Sequence, residues 1–271
     1  MITVIITVAK QLRRLSINMC ELLGMSANVP TDIVFSFSGL LERGGNTGPH
    51  RDGWGIAFYE GKGACLFHDP MASSESQIAQ LIKTYPIKSH IVISHIRLAN
   101  RGKVCLANTH PFSRELWGRQ FVFAHNGQLK GIKKRQLHDY QPIGTTDSEY
   151  AFCWLMGEIK RRHPKKPSAA VLKKIIYELC TDLNSLGTFN MLMSESDSLF
   201  AYCSTKLSWI TRKAPFKKAS LIDSEINVDF GKETTPNDIV SIVATTPLTE
   251  NEDWNIMEKG QLICLKSGSP V

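Results

Sequence analysis

The sequence contains no uninterrupted apolar run near the roughly 18 residues needed to cross a bilayer, which excludes a transmembrane helix in this chain of 271 residues. It has no C-x-x-C pair, no Walker motif, no H-E-x-x-H and no G-x-S-x-G. A zinc ribbon, a phosphate-binding loop, a zincin and a hydrolase nucleophile elbow are therefore all excluded, and no cofactor or metal is expected. No internal repeat or low-complexity linker is visible. Excess charge is small: Lys and Arg number 32 against 25 acids, a formal charge of +7. Three of those cations, Lys10, Arg13 and Arg14, lie in the first nineteen residues, which hold no acid; without them the excess is four. That is too mild to indicate nucleic-acid binding by itself. Neither nucleic acid nor membrane is an expected partner.

What is present is ordinary globular composition, with 42% apolar and 21% charged residues. The seven cysteines (20, 65, 105, 153, 180, 203 and 264) are odd in number, which fits reduced thiols in a cytoplasmic protein better than a disulfide framework. Met1 to Ala9 is apolar and a basic cluster follows it, the reverse of the order in a secretory signal. Residues 1–19 are expected to be a leader absent from the mature chain, either a short pro-segment or, the favoured reading, an upstream translation artefact with Met19 as initiator. Cys20 has a small side chain, which permits removal of a preceding initiator Met. On either reading Cys20 becomes residue one, and residues 20–271 form one domain.

Eight β-like runs recur: Trp54–Tyr59, Ile91–Ser94, Phe121–Ala124, Thr188–Ser194, Leu199–Ser204, Leu207–Thr211, Ile239–Ala244 and Leu262–Leu265. Three stretches predict helices. Asp32–Glu42 and Ala169–Leu183 carry apolar residues at helical spacing, and Asp147–Arg161 starts with the capping-box pattern Thr146-Asp-Ser-Glu149. The loop Arg162-His-Pro-Lys-Lys-Pro167 separates the last two. Many strands, few helices and no strand–helix alternation predict an α+β fold of mainly antiparallel sheets.

Five residues are candidates for chemistry. As residue one, Cys20 would carry a thiol nucleophile and an α-amine with a pKa of about 8, so one residue supplies both nucleophile and general base. Arg97, just after an apolar strand, can clamp a carboxylate through two parallel N–H···O bonds; a surface ion pair is its bland alternative. Asn126-Gly127 is first a turn signal, and otherwise an oxyanion hole built from the Asn126 amide and the Gly127 N–H. Asp147 suits a helix N-terminus or a substrate ammonium. Glu149 is read as the partner of Thr146 in the capping box, and His95 as structural. In His50-Arg-Asp-Gly-Trp-Gly55 the Trp either lines a pocket or packs.

In this order the pieces resemble the class II glutamine amidotransferases, and within them the compact YafJ-type group. The matching text is Met19-Cys-Glu-Leu-Leu-Gly-Met-Ser-Ala-Asn28, HRDGWGIAFYEGKG from His50, HIRLAN from His95, NTHPFSRELWGRQFVFAHNGQLKG from Asn108 and GTTDSEYAFCW from Gly144. The resemblance implies the N-terminal nucleophile hydrolase fold, a four-layer αββα sandwich. It also implies hydrolysis of a γ-carboxamide. Cys20 would form a γ-glutamyl thioester and ammonia would leave. Asn126 and Gly127 would stabilise the oxyanion, Arg97 the α-carboxylate and Asp147 the α-ammonium. Leu98-Ala99-Asn100 stands where larger relatives carry Trp-Ala-Thr. The glutaminase-like region uses up the chain, so any ammonia acceptor is expected on a protein partner, or the released ammonia is not used. The alternatives are a γ-glutamyl amide hydrolase acting on a glutathione-like compound and a non-catalytic glutamine-binding module.

Overall fold

The computed structural model describes residues 19–85, 87–99 and 102–271; residues 1–18 of the expected leader lie outside them. Two large antiparallel sheets dominate. In the first, β1 (Glu21–Asp32) is central, between β12 (Ile239–Ala244) and β4 (Lys88–Ile96). Beyond β4 lie β2 (Trp54–Glu60) and β3 (Gly63–Asp69); beyond β12 lie β9 (Ser208–Lys213) and β13 (Asn255–Ile256). The second sheet runs β5 (Phe112–Leu116), β6 (Arg119–Leu129), β7 (Gly187–Ser194), β8 (Leu199–Tyr202), β14 (Leu262–Lys266) and β15 (Ser269–Pro270). A separate hairpin pairs β10 (Lys218–Ser220) with β11 (Asn227–Asp229).

Three cores define four layers. Leu22, Ile93, Val122, Ala124, Leu192 and Val243 fill the space between the sheets. Leu23, Met25, Trp54 and Ile56 point the other way, onto α1 (Val34–Glu42) and α2 (Gln77–Thr84). Phe123, Phe189 and Met191 point onto α3 (Asp147–Arg162) and α4 (Ala169–Asn184), with the Phe123 and Phe152 rings stacked 4.8 Å apart. Alternation along each strand makes this possible, since successive side chains serve opposite faces. The arrangement is the αββα sandwich that the resemblance implied.

All eight expected strand runs are found, and the three helices with them. The first helix begins at Val34, because Asp32 still belongs to β1 and its carboxylate accepts the Val34 N–H at 2.6 Å. β1 itself carries no clear strand pattern. It is buried on both faces, and Gly24 and Ser26 stand where the other sheet approaches; a Cβ on Gly24 would lie 2.9 Å from Leu199. Burial of both faces replaces alternation with a mixed run of small and apolar residues.

Candidate active site

Strand pairing brings Cys20 to Arg97. Glu21 of β1 lies opposite Ile96 of β4, so the residue before one strand meets the residue after the other. The Leu98 N–H donates to Cys20 Sγ at 3.3 Å, and the thiol faces the Leu98 carbonyl at 3.5 Å. Arg97 is buried, with its Nη1 donating to the Lys103 carbonyl at 3.2 Å. Its backbone is pinned on both sides: the Arg97 N–H donates to the Gly53 carbonyl, the Asp52 N–H donates to the Arg97 carbonyl, and the Asp52 carboxylate accepts the Ala99 N–H.

The second sheet supplies the other half. Asn126 follows Val122 and Ala124 on the face turned toward the first sheet, and its side-chain amide donates to the Cys20 carbonyl. Gly127 is required by close approach: a Cβ there would lie 1.9 Å from the Thr188 carbonyl of β7. Asp147 opens α3, where Thr146 caps the helix through the Glu149 N–H. Its carboxylate accepts the Leu129 N–H at 2.7 Å and the Ser148 N–H at 3.0 Å, which ties the helix to the end of β6.

Cys20, Arg97, Asn126, Gly127 and Asp147 all line one pocket of about 190 Å³, together with His110, His125 and Thr188. The five candidates span 127 positions from Cys20 to Asp147, and only the two-sheet topology joins them. Burial pushes the Cys20 thiol up to about 11, against smaller opposing effects from the Leu98 N–H and the Arg97 charge. At neutral pH the sulfur therefore keeps its proton, so a nucleophilic role for it would need a base. The neighbouring imidazoles do not fill that role. Burial lowers His95, His110 and His125 below the usual histidine range. His125 is also occupied, with Nδ1 at 2.8 Å from the Ser148 hydroxyl and Nε2 at 3.1 Å from the Thr188 carbonyl.

One reading of the sequence changes in detail, and one that was open between two alternatives is settled. The Glu149 carboxylate does not reach back to the cap residue; it accepts the Ile143 and Gly144 N–H groups and pairs with Arg114 at 2.6 Å. Trp54 packs in the outer core beside Phe37 rather than lining the pocket. Gly55 beside it admits the His110 carbonyl, which would lie 2.3 Å from a Cβ. Sequence reasoning missed the support behind Cys20. Arg43 is buried and bonds Glu21 at 3.1 Å, Asp223 at 2.8 Å and the Pro247 carbonyl at 2.7 Å. His50 holds the Met19 carbonyl at 2.7 Å. The signal present was a His and an Asp in the turn leading into β2; the Arg43 contacts, spread over two hundred residues, left none. Among the described residues, no cluster of His, Cys, Asp and Glu could hold a metal, and no helix is long and apolar enough to cross a membrane.

A two-sheet αββα sandwich with a cysteine pocket at the end of both sheets defines a class. The family profile for class II glutamine amidotransferases matches residues 19–271, and the chain belongs to that family. It is 56% identical over 250 residues to YafJ of Escherichia coli, covering 91% of this chain and 98% of that protein. A Haemophilus influenzae protein is 48% identical over 253 residues, covering 93% and 86%; both relatives bear only a provisional amidotransferase name. The 2.0 Å crystal structure of a predicted glutamine amidotransferase from Pseudomonas aeruginosa is 50% identical, with a TM-score of 0.75 over 93% of this chain and 99% of that one. The glutamine phosphoribosylpyrophosphate amidotransferase of Bacillus subtilis shares the fold at 16% identity, with a TM-score of 0.61 over 93% of this chain and 48% of its own.

Proposed function

We propose that the protein hydrolyses the γ-amide of glutamine with Cys20 as an N-terminal nucleophile and releases ammonia. The carrying observation is the meeting of a thiol, an amide donor, a cation and an anion in one pocket sized for a single amino acid. The α-amine of Cys20 takes the thiol proton and sulfur adds to the amide carbon. The Asn126 amide and the Gly127 N–H receive the oxyanion. The C–N bond then breaks, the ammonium returns its proton to the leaving nitrogen, and ammonia departs. Water adds to the thioester by the same route, giving glutamate and the free thiol. Arg97 holds the α-carboxylate and Asp147 the α-ammonium. The ammonia is then available to an acceptor protein.

A groove of about 450 Å³ adjoins the pocket at Gln128, Thr146 and Asp147. In this reading it opens at the amino-acid head and not at the amide, so it offers no room for a large leaving group. Glutamine is favoured over glutathione-like γ-glutamyl compounds on that ground. The test is ammonia and glutamate release by purified chain beginning at Cys20, with kcat/KM compared between glutamine and γ-glutamyl peptides. Preference for glutamine supports the reading. Preference for a γ-glutamyl peptide replaces it, and no turnover of either leaves only the binding module.

A further inference from the structure

His50 makes two contacts that a neutral imidazole cannot satisfy together. Its Nδ1 lies 3.2 Å from the Arg43 carbonyl and its Nε2 lies 2.7 Å from the Met19 carbonyl. Both oxygens only accept, and a neutral ring has one N–H to give. The ring is buried, so the unmatched contact is not repaired by bulk water. The conflict lies at the bond whose removal the proposed mechanism needs. The Arg43 carbonyl is fixed within the core by the side-chain contacts of the same residue to Glu21 and Asp223. The Met19 carbonyl, by contrast, belongs to the residue that leaves.

We infer that His50 is a positioning residue for the terminal amine: once Met19 is removed, its Nε2 becomes the acceptor for the freed α-amino group of Cys20. This rests on the reading of Cys20 as residue one. A carbonyl oxygen sits about 2.3 Å from the nitrogen of its own peptide bond. The Cys20 nitrogen is therefore at most about 5 Å from Nε2, within reach of a direct bond or of one bridging water in the place of the lost oxygen. With the Met19 carbonyl gone, the one N–H of the neutral ring sits on Nδ1 and is given to the Arg43 carbonyl, which leaves a lone pair on Nε2. An acceptor then faces a donor, and the conflict of the longer chain disappears. During acylation the thiol proton moves to the α-amine, and the ammonium that forms donates one N–H to His50. The imidazole gains and loses no proton; it fixes the direction from which the amine faces sulfur. The charged and titratable groups around this pair are Glu21 on β1, Arg43 beyond α1, His95 and Arg97 at the end of β4, and Asp223 and Lys206 from the loops that meet Glu21 and Arg43.

Two measurements test the inference. The first does not involve turnover: nitrogen-15 NMR of the His50 ring, in chain beginning at Cys20 and in chain retaining Met19, near neutral pH. Nε2 is expected to carry a proton when Met19 is present and a lone pair when it is absent; a protonated Nε2 in both, or a lone pair in both, overturns the inference. The second is glutamine hydrolysis by His50→Leu and His50→Gln variants of the Cys20 chain. Loss of the acceptor favours the neutral amine, so in His50→Leu the acid limb of kcat/KM moves to lower pH, and kcat falls about tenfold with KM within about twofold. His50→Gln, whose amide oxygen can accept, restores both. An unmoved limb in His50→Leu, or a loss confined to KM, overturns it; His50→Gln alone decides if the leucine variant fails to fold, since an acid limb and kcat unlike wild type also overturn it. Failure of the wild-type chain to hydrolyse glutamine overturns the functional reading, and the NMR comparison still decides the role of His50.

Discussion

At the scale of single residues the proposed chemistry turns on a protonated sulfur. With its thiol pushed up to about 11 by burial, Cys20 is a poor nucleophile at neutral pH unless a base sits beside it. In chain that retains Met19 there is no free amine at Cys20, so its alkylation by iodoacetamide is expected to rise about tenfold per pH unit up to about 11. Peptide mapping separates this thiol from the exposed Cys65; a plateau near pH 8 would show a thiolate already stabilised. Cys20→Ala is expected to abolish glutamine turnover while leaving melting and far-UV circular dichroism unchanged, and retained turnover would show another nucleophile. Arg97→Lys replaces a planar fork with a point charge. A fall in kcat/KM of about tenfold, equivalent to about 1.4 kcal/mol, is expected, and wild-type kinetics would remove Arg97 from substrate binding.

At the scale of elements, the pocket is held by strand ends and a helix start. β1 and β4 pair in a register that fixes Cys20 against Arg97, while β6 and α3 meet through the Asp147 carboxylate. The Glu21–Arg43–Asp223 network ties the first residue of β1 to the end of α1 and to a distant loop, with all three side chains about one-tenth exposed or less. Removing one member of such a buried set strands the others without a counter-charge. Arg43→Ala is therefore expected to cost roughly 3–5 kcal/mol, read as a lowered urea midpoint with unchanged slope. A loss under about 1 kcal/mol would show that water takes over the role of Arg43.

At the scale of the whole molecule, the proposed mechanism needs residues 1–19 to be gone. Mass spectrometry of protein from its native cells is expected to give a chain that begins at Cys20. A mass retaining Met19 in enzyme of full activity would remove the α-amine from the mechanism.

The sequence by itself determined the sheets with alternating or strongly apolar strands, three of the helices, though not Gln77–Thr84, and the ordered motifs that mark the family. These signals are local: periodicity, caps, and a cysteine directly after a methionine. β1 escaped because a strand covered on both faces loses its alternation, and β3 and β5 because each is an edge strand with mixed exposure. The five site residues were legible as types, each with an ordinary structural alternative. Only the tertiary structure decided that they share a pocket, that Trp54 packs away from it, and that Arg43 and His50 stand behind Cys20. Those contacts join residues up to two hundred positions apart, and no spacing in a linear chain encodes a meeting that two packed sheets create.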